Sequence, residues 1–385
     1  MKLTMLGSGS AASTLSIRLV ALARHLGVKN WNVSVILPSA DKYNNFTSDP
    51  QAAISHAKLV QPWQPKTKSA MANLLPYLCT SFAAFLRTRP DVVYLYKPTP
   101  ITIVGILARL ASKPVLLDLD DLGSEVMKAQ GQAALQYRLV AWCERLALRY
   151  CSAVVVTSTY LETLVRRRFP NKPILVLPNG VEPEDYTKPA EQAPRHGVYY
   201  FGAVNRLSLI ETLLRAVPLV VQSVPDVQVT IVGGGSALED ATQLVKELGI
   251  EHAVRFTGWT AMLEAQQYTQ FADLAVCCQP DTPTVRAASN MKVFQYMAMS
   301  TVPVVSDVGD LALYCKNGTA GVVVPADDER ALADALTALL LDLAKRARLA
   351  HTGRRLAETE YAWATRTQQL DAFIRGMGAE RKDVL

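Results

Sequence analysis

Two groups of residues in this chain have types and spacings that do chemistry. The first is a glycine turn, Gly7-x-Gly9-x-x-Ala12, after the apolar strand Lys2–Leu6 and before a helical stretch carrying Leu15, Leu19, Leu22 and Leu26 on one face. Glycines let a backbone approach a phosphate, and a helix N-terminus favours negative charge, so Gly7 and Gly9 can border an anion or diphosphate. A dinucleotide site also wants an acidic residue at the end of the second strand, for ribose hydroxyls. Here that strand ends at Leu37-Pro38 and Asp41 lies too far on, which disfavours a nicotinamide cofactor. The plain alternative is a tight turn with no ligand. The second group is Asp118, Asp120 and Asp121, at the end of the strand Val115–Leu119, the edge at which α/β sheets build their sites. A carboxylate there can stabilise developing positive charge or act as a base. It can also join a metal site if the coordination geometry exists, or cap the following helix.

Such residues need elements to hold them. At 385 residues the chain has room for two or three domains. Apolar runs alternate with helical patterns throughout, which indicates parallel sheets covered on both faces. In the first half the runs are 2–6, 33–37, 91–96, 115–119, 153–157 and 174–178; in the second they are 198–201, 227–232, 254–256, 274–278, 302–305 and 321–324. Glu182–Gly197 lacks periodicity, is rich in Pro, Glu and Ala, and reads as an interdomain linker. Asn179-Gly180 reads as a turn, and Thr359–Met377 as a last helical stretch that packs back across the linker.

Composition narrows the function classes. Hydrophobic residues make up 50% and charged residues 19%, as in a globular protein and unlike a disordered chain. No apolar run reaches the ~18 residues that span a bilayer, and Met1–Leu6 is too short for a signal-peptide core. The six cysteines, Cys79, Cys143, Cys151, Cys277, Cys278 and Cys315, form no CxxC pair. They read as buried small hydrophobes of a reducing cytoplasm, with no disulfide and no metal site expected. The net charge of +6 is unevenly spread: residues 1–190 carry 22 Lys and Arg against 12 Asp and Glu, and residues 191–385 carry 18 against 22. A basic half suits a polyanionic surface. Its basic amphipathic stretches include Lys66 and Lys68 before 70–75, Arg87 and Arg89 after 82–86, Ala134–Tyr150, and Arg166-Arg167-Arg168. Contact with an anionic membrane fits these; unequal solvation with no partner is the bland alternative. Nucleic acid is not expected, because no basic motif interleaved with aromatics occurs.

A series of landmarks runs in order along the chain. It comprises the glycine turn; Arg89-Pro90-Asp91-Val92-Val93-Tyr94; Val156-Thr157-Ser158; Leu177-Pro178-Asn179-Gly180-Val181; and Tyr200-Phe201-Gly202. It continues with Thr230-Ile231-Val232-Gly233-Gly234-Gly235; Val254–Trp259; Phe271–Val276; Asn290–Ala298; and Val302–Gly309. In this the chain resembles the GT-B glycosyltransferases of the GT4-like group. The resemblance implies an α/β GT-B fold of two Rossmann-like doubly wound domains facing a cleft. The expected division is an acceptor domain over 1–185, a nucleotide-sugar donor domain over 196–358, and a C-terminal helix over 359–385 returning to the first domain.

The implied activity is transfer of a sugar from a nucleoside diphosphate sugar, which is a substrate and not a cofactor, to a hydroxyl acceptor. Lipid-linked intermediates and polysaccharide precursors are the expected acceptors. The expected location is the cytoplasm, peripheral at the inner face of the membrane. The donor motif departs from the family pattern. Counting from Gly202, the usual Arg and Lys positions hold Ala203 and Ser208, and the two motif carboxylates are replaced by Ala287 and Gln295. Arg206, Arg286 and Lys292 are the replacement cations, the helix-opening amides of Asn290, Met291 and Lys292 a diphosphate seat, and Gln295 a ribose contact without charge. Asp120 falls roughly where many members carry a His facing the donor sugar, with Asp118 beside it as a second catalytic candidate. The departures also leave open a catalytically silent relative that serves as partner or scaffold.

Overall fold

The computed structural model describes residues 1–8, 17–38, 54–63, 70–100, 102–129, 131–186, 197–205, 208, 210–260, 268 and 272–379. The chain divides into two compact units. The first comprises Met1–Asn179, Ala287–Ser289 and Trp363 onward; the second comprises Gly180–Arg286 and Asn290–Ala362.

The first unit is built on seven parallel strands: β1 (Lys2–Leu6), β2 (Asn32–Ile36), β3 (Lys58–Val60), β4 (Val92–Tyr96), β5 (Val115–Leu119), β6 (Ala153–Val156) and β7 (Ile174–Val176). Their order is β3-β2-β1-β4-β5-β6-β7. β4 and β5 are buried at every position, which is why β4 reads as a continuous apolar run and β5 as one interrupted only by Asp118, and neither as alternation. β3 escaped the sequence reading because it is three residues long, partly exposed, and at the sheet edge. Leu19, Leu22 and Leu26 of the helix Ile17–Val28 pack on Leu3, Met5, Val33 and Trp31. Trp363, Leu370 and Ile374 of the last helix, Trp363–Ala379, join the same cluster.

The second unit has six parallel strands: β8 (Gly197–Phe201), β9 (Gln228–Val232), β10 (Val254–Gly258), β11 (Leu274–Cys277), β12 (Val302–Ser306) and β13 (Val322–Val324). Their order is β10-β9-β8-β11-β12-β13. The sequence reading of one helix over Thr359–Met377 is corrected. A helix ends at Thr359 and the next starts at Trp363. Between them Val181 donates its N–H to the Tyr361 carbonyl (2.9 Å) and bridges Ala362, which holds the chain extended there.

In each sheet the strand order reverses once, between β1 and β4 and between β8 and β11. Crevices outside the carboxyl ends of strands at such points are where open α/β sheets bind ligands. All six cysteines are free, and Cys79 is exposed, which corrects its reading as buried; the other five are buried. Among the described residues no helix is long and apolar enough to cross a membrane.

Candidate functional site

In the second unit, β8 delivers Gly202 to the switch point. Its φ of +141° is one that side chains avoid, and a Cβ there would sit 2.9 Å from Lys292 Nζ. The next strand over, β9, is followed by Gly233, where a Cβ would come within 2.0 Å of the Gly202 carbonyl oxygen. Bare backbone on both sides is what lets these two loops touch. Lys292 lies in the first turn of the helix Met291–Ala298. Its ammonium donates to the Tyr200 hydroxyl (3.4 Å) and rests 4.6 Å from that ring's centroid. Among the described residues no carboxylate pairs with it. Burial opposes its charge, but the Tyr200 hydroxyl and the Cys277 and Cys278 thiols that face it hold the ammonium above its ordinary range. A lysine beside a bare glycine loop, with no described carboxylate as counter-ion, has the charge and the setting that anion binding requires.

Asn290 stands at the N-cap of the same helix with no side-chain cap bond. Asn290 and Met291 are partly exposed, so the opening amides remain accessible. Two other donor candidates are engaged within the protein. Arg286 is exposed, but its fork grips Asp281, Nε to Oδ1 at 2.5 Å and Nη2 to Oδ2 at 2.6 Å. That bidentate bond pulls the Asp281 carboxyl below its usual range. The reading of Arg286 as a free phosphate cation is corrected accordingly. Gln295 is 7% exposed and hydrogen-bonds Tyr186, so its amide serves the core, which corrects its reading as a ribose contact. Ser208, at the usual lysine position, closes the Asn205 turn (Oγ to the Asn205 carbonyl, 2.6 Å). Arg206 lies outside the described residues. Trp259, quoted in the sequence only as part of a landmark, is 80% exposed at the end of β10 and lies against Gly234, a flat surface beside the glycine loops.

In the first unit the acidic triplet splits into an inner and an outer layer. Asp118 is 0% exposed; it accepts from Arg18 Nε at 2.8 Å and from the Tyr94 hydroxyl at 2.5 Å. Burial pushes its carboxyl up, Arg18 draws it back, and Arg18 itself is held as a cation. The reading of Asp118 as catalytic is corrected: it is a buried anchor. Arg18 Nη1 reaches the Asn179 Oδ1 (3.3 Å), and Asn179 Nδ2 donates to the Ser289 carbonyl (2.9 Å). Asn179 is thus a hydrogen-bonding hub, more than the turn expected of it.

Asp120 and Asp121 form the outer layer. Asp120 accepts from the Tyr96 hydroxyl (2.8 Å), and Lys97 Nζ lies 3.2 Å from Asp120 and 2.9 Å from Asp121. Burial works against the Asp120 charge, but Lys97, Arg18 and Tyr96 outweigh it and hold the carboxyl below the usual range. Lys97, unremarked in the sequence, has φ +55°, a costly conformation for a side-chain-bearing residue. The helix-cap reading of the triplet is replaced: Glu144 satisfies the first turn of Gly123–Ala129, accepting from the Ser124 N–H (3.0 Å) and hydroxyl (2.6 Å). Gly7 is a packing glycine, since a Cβ would meet Leu19 and Leu37 at 2.6 Å; Gly9 lies outside the described residues. Among the described residues no three of His, Cys, Asp or Glu converge as a metal site.

Comparison with known proteins adds a second line of observation. The family profile described as "Glycosyl transferases group 1" matches residues 195–342, and "Glycosyl transferase 4-like domain" matches 13–180. A GDP-mannose-dependent alpha-(1-6)-phosphatidylinositol monomannoside mannosyltransferase of Mycobacterium tuberculosis is 28% identical over 240 residues, 58% of this chain and 62% of that protein. The chain therefore spans somewhat under two thirds of that relative's length. The phosphatidyl-myo-inositol mannosyltransferase of Mycobacterium leprae is 27% identical over 73% of this chain and 72% of its own. Among solved structures, the sucrose-phosphate synthase of Thermosynechococcus elongatus superposes with a TM-score of 0.76 at 19% identity, over 99% of this chain and 100% of that one. The Anabaena protein HepE, solved with UDP and glucose, gives 0.74 at 18% identity, over 98% and 100%.

Proposed function

The chain belongs to the GT4-like group of GT-B glycosyltransferases, and from that premise we propose that it transfers a sugar from a nucleoside diphosphate sugar to a hydroxyl acceptor. The observation that carries this is the Lys292 ammonium, set against the bare backbone of Gly202 with no carboxylate partner among the described residues. A diphosphate supplies the missing negative charge, and the opening amides of the Met291–Ala298 helix add donors to it. Asp120 serves the reaction as a fixed anion. A general base works best with a pKa near the working pH, whereas Asp120 is held low and stays charged. It suits stabilisation of positive charge developing on a sugar ring.

The proposed acceptor is lipid-linked, as the names of the phosphatidylinositol-directed relatives suggest, and the proposed location is the cytoplasmic face of a membrane. The helix Ala134–Tyr150 supports this, with Leu135, Leu139 and Trp142 exposed on one stripe and Arg138, Arg145 and Arg149 exposed beside them. The test of the transfer reading is calorimetric titration with UDP- and GDP-sugars, followed by a donor-hydrolysis assay. Binding that Lys292→Met weakens, together with hydrolysis, is the expected result. The engagement of Gln295 by Tyr186 and of Arg286 by Asp281 favours a catalytically silent member as the second reading. Binding without hydrolysis or transfer would select it.

A further inference from the structure

The first unit carries a groove along β3, from Lys58 at the amino end of that strand to Gln61 and Trp63 just beyond its carboxyl end. Lys2 and Lys58, the first residues of β1 and β3, line one side, and Arg87 at the end of the helix Ala70–Thr88 lines the other. It holds about 710 Å³, the size of a small-molecule site. Among the described residues no Asp or Glu lines it. Among the described residues Lys2, Lys58 and Arg87 make no side-chain ion pair; the nearby Asp91 carboxylate accepts from the Lys2 backbone N–H (2.8 Å). Lys2 lies opposite Asn32 on β2, and Lys58 opposite Ser34. That register separates the two lysine Cα atoms by about 12 Å, close enough for both side chains to converge on one anion. Ser34 and Gln61 add hydrogen-bonding groups, and Trp63, 66% exposed, presents its indole at the rim.

Three unbalanced cations in one concavity repel one another, and a compact polyanion relieves all three at once. An exposed indole beside them offers a flat apolar face to whatever carries that anion. We propose that this groove is a second binding site, for a phosphate ester, separate from the transfer site. The ester can arrive on a soluble phosphorylated saccharide or as a phospholipid headgroup, and the recognition chemistry is shared.

The experiment follows Trp63 emission while the whole chain is titrated with inorganic phosphate, with glucose 6-phosphate, and with phosphatidylcholine vesicles containing phosphatidylglycerol. The expected result is a saturable change that Trp63→Phe abolishes and added salt weakens. In the double variant Lys58→Ala/Arg87→Ala the dissociation constant rises about tenfold or more, while in Lys292→Met it is unchanged. A response to the soluble ester identifies a saccharide phosphate, and a response to vesicles alone identifies a headgroup. The proposal is overturned if no probe perturbs Trp63, or if the double variant, shown folded by its melting temperature, binds as the wild type does. Transfer activity is not read, so failure here leaves the proposed reaction untouched.

Discussion

Replacing Lys292 by Met removes an ammonium that no carboxylate among the described residues balances, so the cost falls on the ligand and not on the fold. A charge-assisted contact to phosphate contributes about 1.5–3 kcal/mol, which is roughly 10- to 150-fold in affinity. The expectation is that loss for the nucleotide-sugar by calorimetry, with a melting temperature equal to or above that of the wild type. A variant that melts early and binds normally would show that the lysine serves packing. Asp120 follows the opposite logic, because its partners are within the protein. Its carboxyl is held below the usual range by Lys97, Arg18 and Tyr96 against the pull of burial. A depressed acid contributes stability that is present above its unfolded pKa, about 3.9, and lost as pH falls through the folded value. The wild type is therefore expected to lose melting temperature steeply below about pH 4. Asp120→Asn, with no charge to neutralise, gives a flatter acid limb from a lower starting point. Transfer by Asp120→Asn falls without a shift of the pH optimum, since a fixed anion is removed and not a titrating base; a displaced optimum would restore Asp120 as the base.

Among the elements, the glycine loops after β8 and β9 depend on each other. An alanine at Gly233 puts a methyl group within 2.0 Å of the Gly202 carbonyl at φ +136°, a conformation costing about 1–3 kcal/mol before any clash. Gly233→Ala should lower the melting temperature and weaken nucleotide-sugar binding together, because the Gly202 backbone must retreat. An alanine at Gly249, also at positive φ but in open space, should cost stability alone. If the two variants behave alike, the loops are not coupled to donor binding. The strands were legible in the sequence because both faces of each sheet are covered, which turns β4 and β11 into unbroken apolar runs and β5 into one broken only by Asp118. What was not legible depends on partners distant in sequence. Arg18 and Asp118 stand 100 residues apart, and Asn179 and Ser289 stand 110 apart. The spacing of Asp118, Asp120 and Asp121 announces a polar strand end, but not that the first is sealed and the second partly exposed. Nor does the sequence show that Asp281 occupies Arg286, or that Tyr186 takes Gln295. Lys97 carried no motif; its signal is a positive φ, which exists only in the folded chain.

At the scale of the whole molecule, the chain leaves its first unit at Asn179, contributes Ala287–Ser289 to it, and returns to it at Trp363. The first unit is therefore discontinuous, and its core is incomplete without the last helix. Trp363, Leu370 and Ile374 are buried against Leu19, Leu22, Leu26 and Trp31. The Trp31 indole N–H donates to Asp371 (2.8 Å), and Arg375 pairs with Asp371 (2.7 Å) while lying 5.2 Å from the Trp31 ring centroid. Burying three large apolar side chains contributes about 1.5–3 kcal/mol each, a sum comparable with the total stability of about 5–15 kcal/mol expected of a domain. Truncation after Ala362 should therefore yield a chain whose first unit does not fold. A graded variant separates this from a merely insoluble product: Ile374→Ala opens a cavity costing about 2–5 kcal/mol. At about 2–4 °C per kcal/mol for a unit of this size, that lowers the melting temperature by roughly 5–15 °C. Arg375→Ala, on the exposed side of the same helix, should cost under about 1 kcal/mol. Equal shifts for the two substitutions would mean that the helix is held by its charges and not by its buried face.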